Sequence, residues 1–80
     1  MKSRFQTNFL NKLESFPFPV QKKFRKQLKF LITDIRHPSL HAKKYDEPTG
    51  TWQARVDKNV RFYFLIEEDT YILLDIRYHD

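Results

Sequence analysis

Arg55, Arg61 and His79 stand at odd positions of the last third of the chain, in company with Gln53 and Arg77. A guanidinium is a permanently charged, planar fork that grips an anionic oxygen pair at two points. An imidazole titrates near neutral pH and moves protons. Together they suit the holding of an anionic group and proton transfer beside it. The even positions of the same stretch are apolar: Trp52, Ala54, Val56, Val60, Phe62, Phe64, Ile66, Ile72, Leu74 and Ile76. Side chains alternate faces along a strand with period two. The pattern therefore predicts a sheet with one face for a core and one for function.

Three strands are expected there, over about 51–57, 60–67 and 70–77. Asp57-Lys58-Asn59 and Glu67-Glu68-Asp69 are connections short enough to require antiparallel neighbours. Upstream, residues 2–6 read as a weak first strand. A short helix from Asn8 to about Ser15, capped by Thr7, carries Phe9, Leu10, Leu13 and Phe16 on one side. Phe16-Pro17-Phe18-Pro19 breaks the chain, and Pro19 suits the first turn of a second helix. In that helix Val20, Phe24, Leu28, Leu31 and Ile35 form a continuous apolar stripe, ended by His37-Pro38. Residues 38–50 read as a polar loop, with the only glycine, Gly50, at a position where positive φ is plausible. The expected architecture is α+β: two N-terminal helices packed on the even face of a small antiparallel sheet, with residues 1–80 as one domain.

Composition narrows the function classes. Eighty residues without cysteine exclude a disulfide scaffold, a thiolate nucleophile and a cysteine zinc site. No run approaches the ~20 apolar residues that span a bilayer, and the N-terminus lacks a signal-peptide core. A cytoplasmic protein is expected. Net charge is +5, but unevenly spread: +9 over residues 1–44 and −4 over residues 45–80. Lys22, Lys23, Arg25, Lys26 and Lys29 line the second helix off its apolar stripe, and Lys43 and Lys44 follow in the loop. Such segregation suits a polyanion such as nucleic acid, or simply a solvated helix face.

Three stretches carry a family resemblance: "RHPSLHAKKYDEPTGTW", "WQARVDKNVRFYFLI" and "YILLDIRYHD". They resemble the RelE/ParE toxins of bacterial type II toxin–antitoxin systems, over nearly the whole chain. The most specific part is the block from Trp52 to Phe64 with the His79-Asp80 ending. The resemblance to the RelE and YoeB branch implies a ribosome-dependent mRNA endonuclease that works without metal or cofactor. Its implied partners are the ribosome, mRNA and an acidic antitoxin. Arg61 matches the arginine that holds the scissile phosphate, Arg55 a basic strand position, and His79 a catalytic acid. Lys22, Lys23, Arg25, Lys26, Lys29, Lys43 and Lys44 would meet RNA or the ribosome. Tyr63, Leu65, Tyr71 and Leu73, apolar on the odd face, would meet the antitoxin or belong to the core.

The departures are specific. Gln53 stands where RelE has lysine, Asp80 where YoeB-like members have tyrosine, and no residue matches the YoeB glutamate base. His41, Lys43 and Lys44 occupy that region. Asp80 beside His79 would favour the protonated imidazole. Two other readings stay open: a ParE-like inhibitor of DNA gyrase, which Arg55, Arg61 and His79 on one face argue against, and a non-catalytic member that only binds antitoxin or RNA. Residue by residue, Arg61 could instead pair with Asp75 across strands, Arg77 reads as a solvated strand residue, and Trp52 as core. His37 and His41 have a helical metal-binding spacing, which Pro38 between them disfavours.

Overall fold

The computed structural model describes residues 1–79. Its elements are β1 (Lys2–Phe5), α1 (Phe9–Glu14), α2 (Phe18–Thr33), a single 3-10 turn (Pro38–Leu40), β2 (Lys43–Asp46), β3 (Thr51–Arg55), β4 (Val60–Glu67) and β5 (Thr70–Tyr78). The strands form one sheet in the order β1-β5-β4-β3-β2. β1 lies parallel to β5, and every other neighbour is antiparallel. Both helices pack on one face, so the α+β expectation holds. No helix among the described residues is long and apolar enough to cross a membrane.

Aromatic rings run through the core from one edge to the middle of the sheet. Phe5, Phe9, Phe24, Phe62, Phe64 and Tyr71 form successive pairs with centroids 5.3–5.8 Å apart. Each such contact adds to the area term that drives burial. α2 opens with Pro17 and Pro19, where missing N–H groups cost nothing. It ends at Thr33, before His37-Pro38. The Asp34 carboxylate accepts from the Arg36 N–H and the Asp34 carbonyl from the His37 N–H. This local turn competes with further helix, and leaves Ile35 beyond the helix end.

Two expectations about the strands need correction. The loop 38–50 contains a strand: β2 pairs with β3, Lys43 opposite Gln53 and Lys44 opposite Trp52. Its sequence, Lys-Lys-Tyr-Asp, lacks apolar alternation because β2 is an edge strand, where charge discourages pairing with other chains. Gly50 does take a positive φ of 73° in the turn that follows.

The second correction is a bulge in β5. Phe64 faces Leu73, but Tyr63 faces Asp75, so Leu74 has no opposite residue. An extra residue flips parity on one side of itself. Tyr71 and Leu73 therefore turn to the helix side and are buried in the core, while Ile72, opposite Leu65, lies on the other face. Burial, with Asp34 nearby, raises the Tyr71 hydroxyl above its ordinary pKa. The proposed antitoxin set thus splits. Tyr63 and Leu65 stay on the open face; Tyr71 and Leu73 do not.

Candidate nucleic-acid interface

The register of the sheet places three arginines side by side. Arg55 on β3 is opposite Arg61 on β4, which is opposite Arg77 on β5. The next row is Lys43, Gln53, Tyr63 and Asp75, one from each of β2, β3, β4 and β5. Beyond β5 the His79 N–H bonds the Asn59 carbonyl at 2.7 Å, which keeps His79 beside the arginine row. A cleft of about 370 Å³ opens here, lined by His41, Ala42, Lys43, Gln53, Arg55, Arg61 and His79. All three residues expected to be catalytic line it, and among the described residues no carboxylate does.

Arg61 is the floor of the cleft, only 5% exposed. Its Nη1 donates to the carbonyls of Asp57 at 2.7 Å and Val60 at 3.3 Å, so the β3–β4 turn holds one end of the fork. That turn is itself tied by the Asp57 carboxylate, which accepts from the N–H groups of Asn59 and Val60 and pairs with Lys23 at 3.6 Å. Burial first, then the neighbouring Arg55, push the Arg61 guanidinium below its ordinary pKa. Arginine nonetheless keeps its charge. Asp75 is not its partner: Asp75 binds Lys12 at 2.6 Å and Arg77 at 3.5 Å. Among the described residues no carboxylate forms an ion pair with Arg55 or Arg61. Like charges facing each other across strands are destabilising, and an arriving anion would relieve them.

Three further residues of the site region were not among those expected to be catalytic or binding. His41 follows the 3-10 turn in a left-handed conformation, φ 46°, and lines the cleft across from the β-sheet residues. The resemblance placed it in the region of the YoeB glutamate base, but a loop assignment gave it no position relative to Arg61. Tyr45, on the missed strand β2, lies next to the cleft and is taken up below. Gln27 is the third, and here a signal existed. It sits three residues after Phe24 and four before Leu31, a polar residue on the apolar stripe. It is 6% exposed, and its Nε2 donates to the carbonyls of Ser39 at 3.1 Å and Arg55 at 2.9 Å, while Ser39 Oγ donates back to Oε1. One side chain thus joins α2 to the loop bearing His41 and to the strand bearing Arg55. Gln27→Leu leaves these carbonyls without that donor, and should lower unfolding free energy by about 1–3 kcal/mol, measured by urea titration. An unchanged midpoint would show that the link is dispensable.

The remaining candidates separate by side of the sheet. Lys22, Lys23, Arg25, Lys26 and Lys29 are exposed on α2, away from the cleft face. Only Lys23 reaches the turn beneath Arg61. Lys43 enters the cleft, whereas Lys44 lies over the Trp52 ring at 5.3 Å. Trp52 packs against the core, as expected. His37 is stacked on Phe30 at 3.8 Å and accepts from the Ser39 N–H, so it is not beside His41 in the cleft. Arg77 is no simple solvated residue: it covers the Tyr63 ring at 4.4 Å. Asp80 lies outside the described residues.

No family model and no curated protein matches the sequence. Solved structures do match the fold. A YoeB/ParE toxin from Agrobacterium tumefaciens superimposes with a TM-score of 0.82 at 13% identity, over 100% of both chains. The RelE–RelB complex from Pyrococcus horikoshii OT3 gives 0.80 at 12% identity, over 96% of this chain and 92% of that one. The YoeB–YefM complex from Staphylococcus aureus gives 0.79 at 14% identity, over 100% and 98%. The chain shares the fold of these YoeB and RelE toxins.

Proposed function

From a fold shared with YoeB and RelE toxins and a cationic, histidine-lined cleft, we propose that this protein is the toxin of a toxin–antitoxin pair and cleaves mRNA on the ribosome. The observation that carries the reading is the convergence of Arg55, Arg61, His41 and His79 on one cleft, with no carboxylate among the described residues that line it. Such a lining repels cations and attracts a phosphodiester. In the reaction the 2′-oxygen attacks the adjacent phosphorus. The O2′–P bond forms and the P–O5′ bond breaks, leaving a 2′,3′-cyclic phosphate and a 5′-hydroxyl. A base removes the 2′ proton, an acid donates one to the 5′-oxygen, and cations offset the charge that gathers on phosphorus.

The residues divide naturally among these tasks. Arg61, held by the turn carbonyls at Nη1, presents a preorganised guanidinium, and Arg55 adds a second. Lys43 reaches the same cleft from β2, supplying the cation that Gln53 does not. His79 serves as the acid, and His41, on the separate loop, as the base. Leu65, on the open face of the sheet, offers apolar contact to an antitoxin whose carboxylates meet the arginines. The Staphylococcus aureus YoeB forms a toxin–antitoxin complex with YefM, and the Pyrococcus horikoshii RelE a complex with RelB.

The test is expression with and without the neighbouring gene, followed by mapping of mRNA 5′ ends. Cuts in frame with translation support the reading. DNA breaks with intact mRNA would replace it with gyrase inhibition, and growth without either lesion would indicate a binding protein. The exposed cations of α2 form a second arm. Lys22→Glu with Lys26→Glu should weaken ribosome binding and flatten its salt dependence, since phosphate neutralisation releases counterions. Lys23 is left intact because it steadies Asp57. Unchanged affinity across a salt titration would make this face merely solvated.

A further inference from the structure

Beside the cationic cleft lies a second lobe of about 320 Å³, lined by Tyr45, Gln53, Tyr63, Arg77, Tyr78 and His79. Gln53 and His79 belong to both lobes, so the two are continuous. Their chemistry differs. The first lobe is made of cations and imidazoles, the second largely of flat rings and a flat guanidinium.

Tyr63 is the fixed base of this lobe. It is 7% exposed, with Arg77 over its face at 4.4 Å and Tyr45 against it edge-on at 4.9 Å, the planes 64° apart. Tyr45 is the opposite case: its side chain leans on Tyr63, yet the residue is 52% exposed. It sits where β2 slips register, between Lys44 opposite Trp52 and Asp46 opposite Thr51, with no opposite residue of its own. Bulges of this kind re-aim a side chain. A buried tyrosine has thus positioned an exposed one next to a phosphate-sized cluster of charge.

We propose that Tyr45, with Arg77 beside it, is a nucleobase-stacking platform for single-stranded RNA. It takes the base adjoining the phosphate held by Arg55 and Arg61. Every nucleobase presents a π-face, so the platform is tolerant of sequence and rewards unpaired RNA over duplex. The inference rests on RNA being the ligand of the cleft, but not on cleavage.

The experiment therefore reads binding. The full chain is titrated into a trinucleotide carrying 2-aminopurine and 2′-O-methyl groups, which cannot be cut, and stacking is followed as fluorescence quenching. Wild type should bind and quench. Tyr45→Ala should weaken binding about tenfold and lose the quench, while Tyr45→Trp keeps both. Arg55→Ala should weaken binding and reduce its salt slope, yet leave the quench at saturation. A half-exposed ring should contribute little to stability, so matching thermal midpoints for wild type and Tyr45→Ala are expected. Equal affinity and equal quench in Tyr45→Ala would overturn the platform, as would wild-type binding without quench. If quenching depends on Tyr45 but programmed ribosomes are never cut, the platform stands and the nuclease reading falls.

Discussion

Arg61→Ala is expected to abolish mRNA cleavage, lowering the rate on programmed ribosomes by about 10²–10³. The expectation comes from where the guanidinium lies. It is buried at the floor of the cleft, one nitrogen already spent on the carbonyls of Asp57 and Val60. No hydrogen bond among the described residues uses its Nε or Nη2. A group held so firmly undergoes no reorganisation when charge develops on phosphorus, which makes its contribution large. Alanine also removes a turn contact, so the fold must be checked by thermal melting. Arg61→Lys is the companion variant: it keeps the charge but loses the fork, and should fall between wild type and alanine. Cleavage at the wild-type rate by a folded Arg61→Ala protein would remove Arg61 from the chemistry.

The second large effect concerns the two histidines. Proton transfer by a positioned side chain contributes about 10²–10⁴ in rate. His79→Gln and His41→Gln should each lose an effect of that order, and their pH profiles should differ in a defined way. An acid must be protonated, so activity that depends on it falls as pH rises past its pKa. A base must be neutral, so activity that depends on it falls as pH drops. The wild-type profile should be bell-shaped. His79→Gln should lose the alkaline limb, and His41→Gln the acid limb. Among the described residues, the charged groups lining the cleft with them are Lys43, Arg55 and Arg61, which are intact in both variants. An alkaline limb shared by wild type and His79→Gln would rule His79 out as the acid. An acid limb surviving in His41→Gln would leave the base unassigned.

Much of this molecule was legible because strand parity is a local property. Residues 52–56 and 60–66 alternate without interruption, so their core face and the open face with Arg55 and Arg61 could be read directly. The second helix was equally clear, apart from its end, which the Asp34 side chain brings forward through its turn with Arg36. Parity failed in β5 for a specific reason. One extra residue at Leu74 reverses every assignment before it, and nothing in Tyr-Ile-Leu-Leu-Asp marks a bulge, since all of Tyr71 to Leu74 are apolar. Strand β2 escaped for the opposite reason: an edge strand with two lysines has no apolar face to show.

The chain by itself determined which chemical groups were available and which strand face most of them occupied, because side-chain alternation needs no information about neighbours. It determined the cationic first half and the arginine pair. Only the tertiary structure decided what those groups meet. Pairing of β2 with β3 brings Lys43 and Tyr45 to the site. Gln27, from within the helix layer, holds the loop of His41 to the strand of Arg55. The turn at Asp57 fixes one end of Arg61. These are contacts between segments distant in sequence, set by packing and by the need of buried polar groups for partners, and no local pattern records them.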